Sequence, residues 1–342
     1  MAGPDWSSMR PPKATGGLVG AATRRLTVAK RRMANVRRLL QTLRHLSSRL
    51  DDVVGNQAAF EYTWARAGLV DFSQPCADDP LSSRLCREAD CGAEYAEWQR
   101  HLHEPVKVSR KDWEWSAICR ALDADGLLVP GKRALGFAVG KEPLVAAFAA
   151  KGIDVVATDL ATEDARAAVW ATTNQHALSL AGLSKPAICP DEVLAERVTI
   201  RAVDMNDVDD DLVGFDFLWS SCAFEHLGSL EAGMSFVERA MDCLAPGGLA
   251  VHTTEFNLDS NDATEAAGTT VAYRSRDMAD LQQRLAAKGH TMSPFVEGTR
   301  EGMYDYLIDV PPKHFGTLLV RLGDYRIAPA VVIVRKGTTP TA

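Results

Sequence analysis

Residues 133–161, "RALGFAVGKEPLVAAFAAKGIDVVATDLA", decide how the rest of the chain is read. The run 133–138 reads as a strand and 153–158 as a second, with an apolar helical segment between them. Gly136 and Gly140 bracket "FAV", and a helix begins near Pro143, a residue favoured in the first helical turn. Glycine permits a sharp turn and lets a ligand come close to the main chain. Asp159 ends the second strand, nineteen residues after Gly140. A carboxylate there can accept both hydroxyls of an adenosine ribose. These features suit a dinucleotide and S-adenosylmethionine equally, and a purely structural turn is a third reading.

Further along, strands are expected at 198–203, 215–221 and 248–255. Helices are expected in "EDARAAVWATTNQHALSLAGL" and "LEAGMSFVERAMDCL". Such alternation calls for a parallel sheet covered on both faces, with its ligand at the carboxyl ends of the strands. Two late strands, near 304–309 and 329–335, are expected to close the sheet as an antiparallel pair. The fold class is therefore α/β, a Rossmann-like sheet over residues 131–337 preceded by a helical extension, 18–130. In 18–50, Leu26, Met33, Val36, Leu40, Leu43 and Leu46 form an apolar stripe between Arg and Lys residues. Residues 51–130 make a cap region, with a short helix in "EYAEWQRHLHEP" and a longer one from Arg110 that stops at Gly126. Residues 1–17 read as a disordered tail.

The 342 residues are 46% hydrophobic and 24% charged, the balance of a soluble globular protein. No apolar run is long enough to span a bilayer, and the N-terminus lacks a signal-peptide core, so a cytoplasmic location is expected. The net charge of −7 hides an asymmetry: residues 1–50 hold eleven Lys and Arg against the single acid Asp5. The acidic body argues against a specific nucleic-acid partner. The basic helix reads as a surface for self-association into a homo-oligomer, or for peripheral contact with an anionic membrane or polymer. Seven scattered cysteines argue against a disulfide framework. Cys76, Cys86 and Cys91 cluster, but at spacings wider than those of structural zinc sites, so free thiols are expected.

Three further motifs follow the first. "RAVDMND" puts Asp204 and Met205 after the third strand, where an acid can take an adenine amino group and an apolar side chain can pack on the ring. "FDFLWSSCAFEHLGSLEAG" ends the fourth strand in a polar turn, and "MDCLAPGGLAVHTTEFN" reads as helix, Pro-Gly-Gly turn and fifth strand. In this order the set resembles the class I S-adenosylmethionine-dependent methyltransferases. It resembles in particular a bacterial subgroup carrying the GKEPL, EHLGS and HTTEFN runs, often found in a setting of sugar or polysaccharide modification.

The resemblance implies a seven-stranded methyltransferase sheet and S-adenosylmethionine held by Gly136, Phe137, Ala138, Gly140, Glu142, Asp159, Leu160, Asp204, Met205 and Ser221. It implies O-methylation of a sugar, glycan end or similar small acceptor. N- or C-methylation of another metabolite is one alternative, and a non-catalytic protein that keeps the cofactor fold is a second. The usual turn carries an acid two residues before its first glycine; Ala134 stands there, and Ala138 replaces the middle glycine. The cofactor's ammonium then lacks its customary partner, and Glu142 or a group from the Trp113 segment is expected to compensate.

A sugar hydroxyl must lose a proton, which requires a base or a metal. Glu225, His226 and Glu255 are the candidates. Glu225-His226 resembles the metal motif of small-RNA 2′-O-methyltransferases, which implies a magnesium or manganese ion on Glu225, His226 and Glu255. The first acid of that motif is Cys222 here, a poor choice for magnesium. His226 as a metal-free base is the rival reading, and a helix-capping role for the pair is the third. On the fifth strand, side-chain alternation sets His252 and Thr254 on one face and Thr253 and Glu255 on the other. Acceptor-side candidates are Trp113, Asn257, Tyr273, Arg274 and His314. For Arg274 a helix-start salt bridge competes with anion binding, and for Trp113 simple packing competes with stacking.

Overall fold

The computed structural model describes residues 30, 33, 36–57, 70–164, 166–167, 175–308 and 316–338. Its core is one mixed sheet. The strands are β1 (Arg84–Leu85), β2 (Arg133–Phe137), β3 (Asp154–Asp159), β4 (Val198–Ala202), β5 (Phe215–Ser221), β6 (Leu244–Asn257), β7 (Thr291–Met292), β8 (Val320–Leu322) and β9 (Tyr325–Arg335). Their order is β1-β9-β6-β5-β2-β3-β4, with β7 and β8 also on β9. β2 lies between β3 and β5, both parallel to it, and β5 is parallel to β6. β9 runs antiparallel along β6 from Ile327 to Arg335, and its far edge is covered in turn by β8, β1 and β7. An edge made of three short pieces offers little free ladder to another chain. This is the expected Rossmann-like α/β sheet.

β2 is buried from Ala134 to Phe137, as a central parallel strand with both faces covered requires. Phe148, on the following helix Leu144–Ala150, meets Phe217 and Trp219 edge to face at 5.5 and 5.0 Å. The helix Leu230–Ala240 is capped by Ser229, whose Oγ accepts the Ala232 N–H at 3.1 Å.

Three expectations are corrected. Residues 304–308 form a turn rather than a strand, and only Ile308 makes a bridge, to Leu319. The Asp305 carboxylate gathers the N–H groups of Glu88, Glu301 and Gly302, and these local bonds bend the segment away from the ladder. The long helix expected over 163–183 is not continuous among the described residues: 175–178 lack regular structure, and a short helix covers Leu180–Leu183. The His176 ring and the Ala177 N–H are tied back to the end of β3. Finally, β6 starts at Leu244 and takes in the Pro-Gly-Gly stretch at a register shift opposite Phe215–Phe217, where a turn was expected.

Residues 52–342 form one compact unit, so β1 and the helices Ala93–His101 and Arg110–Ala124 belong to the same body as the sheet. A buried ion cluster holds this region: Arg84 and Arg120 both pair with Asp78, and Arg87 pairs with Asp90 at 2.8 Å. All seven cysteines are free thiols, and Cys76, Cys86 and Cys91 do not converge as a metal ligand set among the described residues. Residues 1–51 form a separate unit. Its described part is helical, with Met33, Val36, Leu40, Leu43 and Leu46 all about half exposed or more. Leu26 and the tail 1–17 lie outside the described residues. No described helix is long and apolar enough to cross a membrane.

Gly136 illustrates how tightly the centre is built. A Cβ there would fall 2.5 Å from the Trp219 indole and 2.5 Å from the Val139 side chain. Gly136→Ala is therefore expected to lower stability by about 1–3 kcal/mol through overpacking. The double variant with Trp219→Phe should recover part of that loss, a non-additivity that thermal melts will read.

Candidate active site

The site lies at the carboxyl ends of β2, β3, β5 and β6. β2 and β5 pair with Phe137 opposite Ser220, and each strand is followed directly by a non-glycine residue with left-handed backbone: Ala138 at φ 48° and Cys222 at φ 47°. Such conformations cost on the order of 1 kcal/mol or more each and concentrate at functional sites. Gly140, at φ 50°, lies so close to the Gln175 carbonyl that a Cβ would stand 2.3 Å from it. Its turn is held by Val139 N–H donating to Thr158 O at 3.0 Å.

Asp159 is buried beside this turn, its carboxylate accepting the Leu160 N–H at 2.9 Å and the Ala177 N–H at 3.3 Å. Burial pushes its carboxyl up, and the backbone donors, with His176, oppose that. Gly140, Asp159, Leu160 and residues 175–177 thus come together beside the turn. Met205 is buried near the end of β4, while Asp204 is bound by Arg166 at 2.7 Å. Phe137 points into the core, edge to face with Phe236 at 5.0 Å, leaving only its backbone for the turn.

Glu142 is buried, and Trp219 Nε1 donates to its Oε1 at 2.6 Å. Burial raises its pKa to about 8, against the pull of Trp219 and Lys111. Glu142 is therefore a neutral acid at neutral pH, and it does not present a charge to a ligand.

The helix Arg110–Ala124 brings a second acid. Glu114 is fully buried, and its Oε2 receives Lys111 Nζ at 2.9 Å, Ser221 Oγ at 3.2 Å and Thr253 Oγ1 at 3.2 Å. Burial alone would raise its pKa, but Lys111 and Arg110 hold it below its ordinary value. Spacing of three and four residues puts Arg110, Lys111 and Glu114 on one helix face. Arg110 pairs with Glu255 on β6.

A third group lies past β5. Glu225 is fully buried; Thr254 Oγ1 donates to its Oε2 at 3.2 Å, while its Oε1 has no hydrogen-bond partner. His226 Nε2 stands 3.9 Å from that Oε1, and its Nδ1 is 2.8 Å from Thr269 O. A carbonyl only accepts, so Nδ1 carries a hydrogen toward Thr269 O, and Nε2 is the ring nitrogen on the Glu225 side. Cys222 Sγ is 3.7 Å from Glu255 Oε1, and burial, reinforced by Glu114 and Glu225, pushes its thiol well up. One ligand atom each from Cys222, Glu225 and Glu255 lies within 4.8 Å of the others. His226 is not in that set, so the expected metal triad of Glu225, His226 and Glu255 is not assembled. The ring is turned to Thr269 instead.

Several acceptor-side expectations are corrected. Trp113 is buried under Arg84, whose guanidinium lies 5.6 Å from the ring. Asn257 is spent on its own loop, donating to Ala263 O and accepting from Asp259 and Ser260. Tyr273 is buried against Phe224 at 5.0 Å and donates to Leu230 O. Arg274 is forked onto Asp277 at 2.7 and 2.9 Å, the helix-start pairing. His314 lies outside the described residues. His252 is buried and bonded to Ser220 at 2.8 Å, and burial lowers its pKa to about 3, so it stays neutral. Arg110, Lys111, Glu114 and Thr253 were missed; their signal was the shared helix face and the first threonine of "HTTEFN".

No family model matches the chain, and no curated protein matches it. Solved structures that resemble it do so distantly. A Burkholderia thailandensis 1,6-didemethyltoxoflavin-N1-methyltransferase with bound S-adenosylhomocysteine is 18% identical (TM-score 0.36, covering 64% of this chain and 76% of that one). A Synechocystis magnesium protoporphyrin IX methyltransferase with bound S-adenosylhomocysteine is 13% identical (TM-score 0.39, covering 73% and 98%). The [4+2]-cyclase SpnF is 14% identical (TM-score 0.39, covering 71% and 92%). Those ligands and reactions are the neighbours' own, and the fold reading here rests on the sheet order.

The state of Glu142 has a measurable consequence. Folded protein keeps its proton up to about pH 8, whereas the unfolded chain loses it near the ordinary value of 4.5. Its contribution to stability therefore falls as pH rises from about 5 to about 8. Glu142→Gln keeps an acceptor for Trp219 and removes that fall. Melting temperatures of the variant relative to the parent should rise steadily across this range.

Proposed function

We propose that the chain is an S-adenosylmethionine-dependent methyltransferase acting on a hydroxyl of a sugar, a glycan end or a similar polar small molecule. The observation that carries this reading is the sheet order β4-β3-β2-β5-β6-β9, with β9 antiparallel and the strained Ala138–Gly140 turn facing Asp159 at the carboxyl edge. The cofactor supplies a methyl group already activated by its sulfonium.

In this reading Asp159 would accept the ribose hydroxyls, and Met205 would pack on the adenine. Asp204 receives the adenine amino group once Arg166 yields. Ala134 offers nothing to the cofactor's ammonium, and Glu142 is neutral. Glu114 takes that role: its carboxylate already holds one ammonium, that of Lys111, at the end of β5. That oxygen would hold the cofactor's ammonium in place of Lys111. His226 Nε2 receives the acceptor's proton, and Glu225 beside it stabilises the imidazolium that forms. Ser221, Thr253 and the helix Arg110–Ala124 exclude water from the reacting edge.

Titration calorimetry with S-adenosylhomocysteine tests the reading. Micromolar binding by the parent, weakened at least about tenfold (1.4 kcal/mol) in Asp159→Ala, is expected. Absence of binding by the folded parent would remove it.

We also propose that the exposed stripe of Val36, Leu40, Leu43 and Leu46 joins two copies of the chain. Leu43→Glu combined with Leu46→Glu should then halve the mass in sedimentation. An unchanged mass would contradict this.

A further inference from the structure

The structure points to a metal site that differs from the one the sequence suggested. We propose that Cys222, Glu225 and Glu255 bind a single divalent ion of borderline softness, such as zinc or cobalt, and do not bind magnesium. The inference is independent of the cofactor and acceptor proposed above.

Three observations carry it. First, a sulfur and two carboxylates from β6 and the turn after β5 place one ligand atom each within 4.8 Å of one another, the only such set among the described residues. Second, both carboxylates keep an oxygen with no hydrogen-bond partner, Glu225 Oε1 and Glu255 Oε2, although the two residues are only 0% and 5% exposed. A buried carboxylate is stable only when its charge is met. Third, the local cations do not meet all the charge. Lys111 serves Glu114 and Arg110 serves Glu255, while Glu225 has a threonine hydroxyl and, at 3.9 Å, His226. A cation is the missing partner of Glu225.

The donor set then selects the ion. Magnesium requires hard oxygen donors in octahedral array and resists a thiolate. Zinc and cobalt accept sulfur with carboxylate, and three protein ligands with an open fourth position is the arrangement of a working zinc site. As the metal–sulfur bond forms, the Cys222 S–H proton passes to solvent. A metal there would lower the pKa of a bound hydroxyl.

The test uses full-length protein stripped with a chelator and titrated with cobalt(II), with no cofactor added. One equivalent should bind with a near-ultraviolet sulfur-to-cobalt charge-transfer band, zinc should displace it, and millimolar magnesium should not. Cys222→Ser should lose the band, and Glu225→Gln should lose most of the affinity. Both variants are near-isosteric, and far-ultraviolet circular dichroism establishes that each is folded. His226→Ala should retain stoichiometric binding. The proposal is overturned by a parent that shows no band, by a band that survives in Cys222→Ser, by displacement with magnesium, or by loss of binding in folded His226→Ala.

Discussion

The arrangement of the site depends on one buried carboxylate. Glu114 sits in the interior with no exposed surface, and it is tolerable there only because Lys111, Ser221 and Thr253 all converge on a single oxygen. Those three groups come from the helix Arg110–Ala124, from the last residue of β5 and from the middle of β6. The network therefore fixes where the cap helix stands over the sheet. Losing one donor would leave a buried charge short of partners, which costs more than an ordinary hydrogen bond contributes. From that anchor the helix aims Arg110 at Glu255, and from there Glu255 reaches Cys222.

The same economy of space governs the turn. Gly136 exists to admit Trp219; Trp219 in turn donates to Glu142 and so keeps that acid buried and neutral. The glycine that reads in sequence as a place for a ligand is filled by an indole from the neighbouring strand. Strain is stored at Ala138 and Cys222, where the two central strands end side by side. A chain that holds two left-handed residues there, over the carboxyl edge of its sheet, has placed its least relaxed backbone where a ligand would be read.

The parallel strands were legible because each is an apolar run flanked by glycine or acid, and burial on both faces makes such runs nearly continuous. The turn at 304–306, where a strand was expected, was not, since Asp305 looks like any polar residue until it gathers three N–H groups from two segments. On the cap helix the sequence drew attention to Trp113, and the structure uses its neighbour Glu114. A bulky aromatic stands out in a sequence, whereas a carboxylate matters only when partners distant in sequence reach it. Tyr273 and Arg274 failed as site residues for a related reason: a tyrosine hydroxyl and a guanidinium were satisfied within their own neighbourhood, by Leu230 O and Asp277. His226 was found, but its direction depends on the Thr269 carbonyl, forty-three residues away, which no local pattern encodes.

The proposed exchange of ammonium groups on Glu114 is the central claim, and a ratio of affinities addresses it most directly. S-adenosylhomocysteine carries the amino-acid end and 5′-methylthioadenosine lacks it. Their dissociation constants should be measured on the parent and on Glu114→Gln, with folding checked by thermal melting. The account predicts a strong preference for S-adenosylhomocysteine in the parent that collapses by at least about tenfold (1.4 kcal/mol) in the variant, while 5′-methylthioadenosine binds both alike. An unchanged ratio in a folded variant would contradict it.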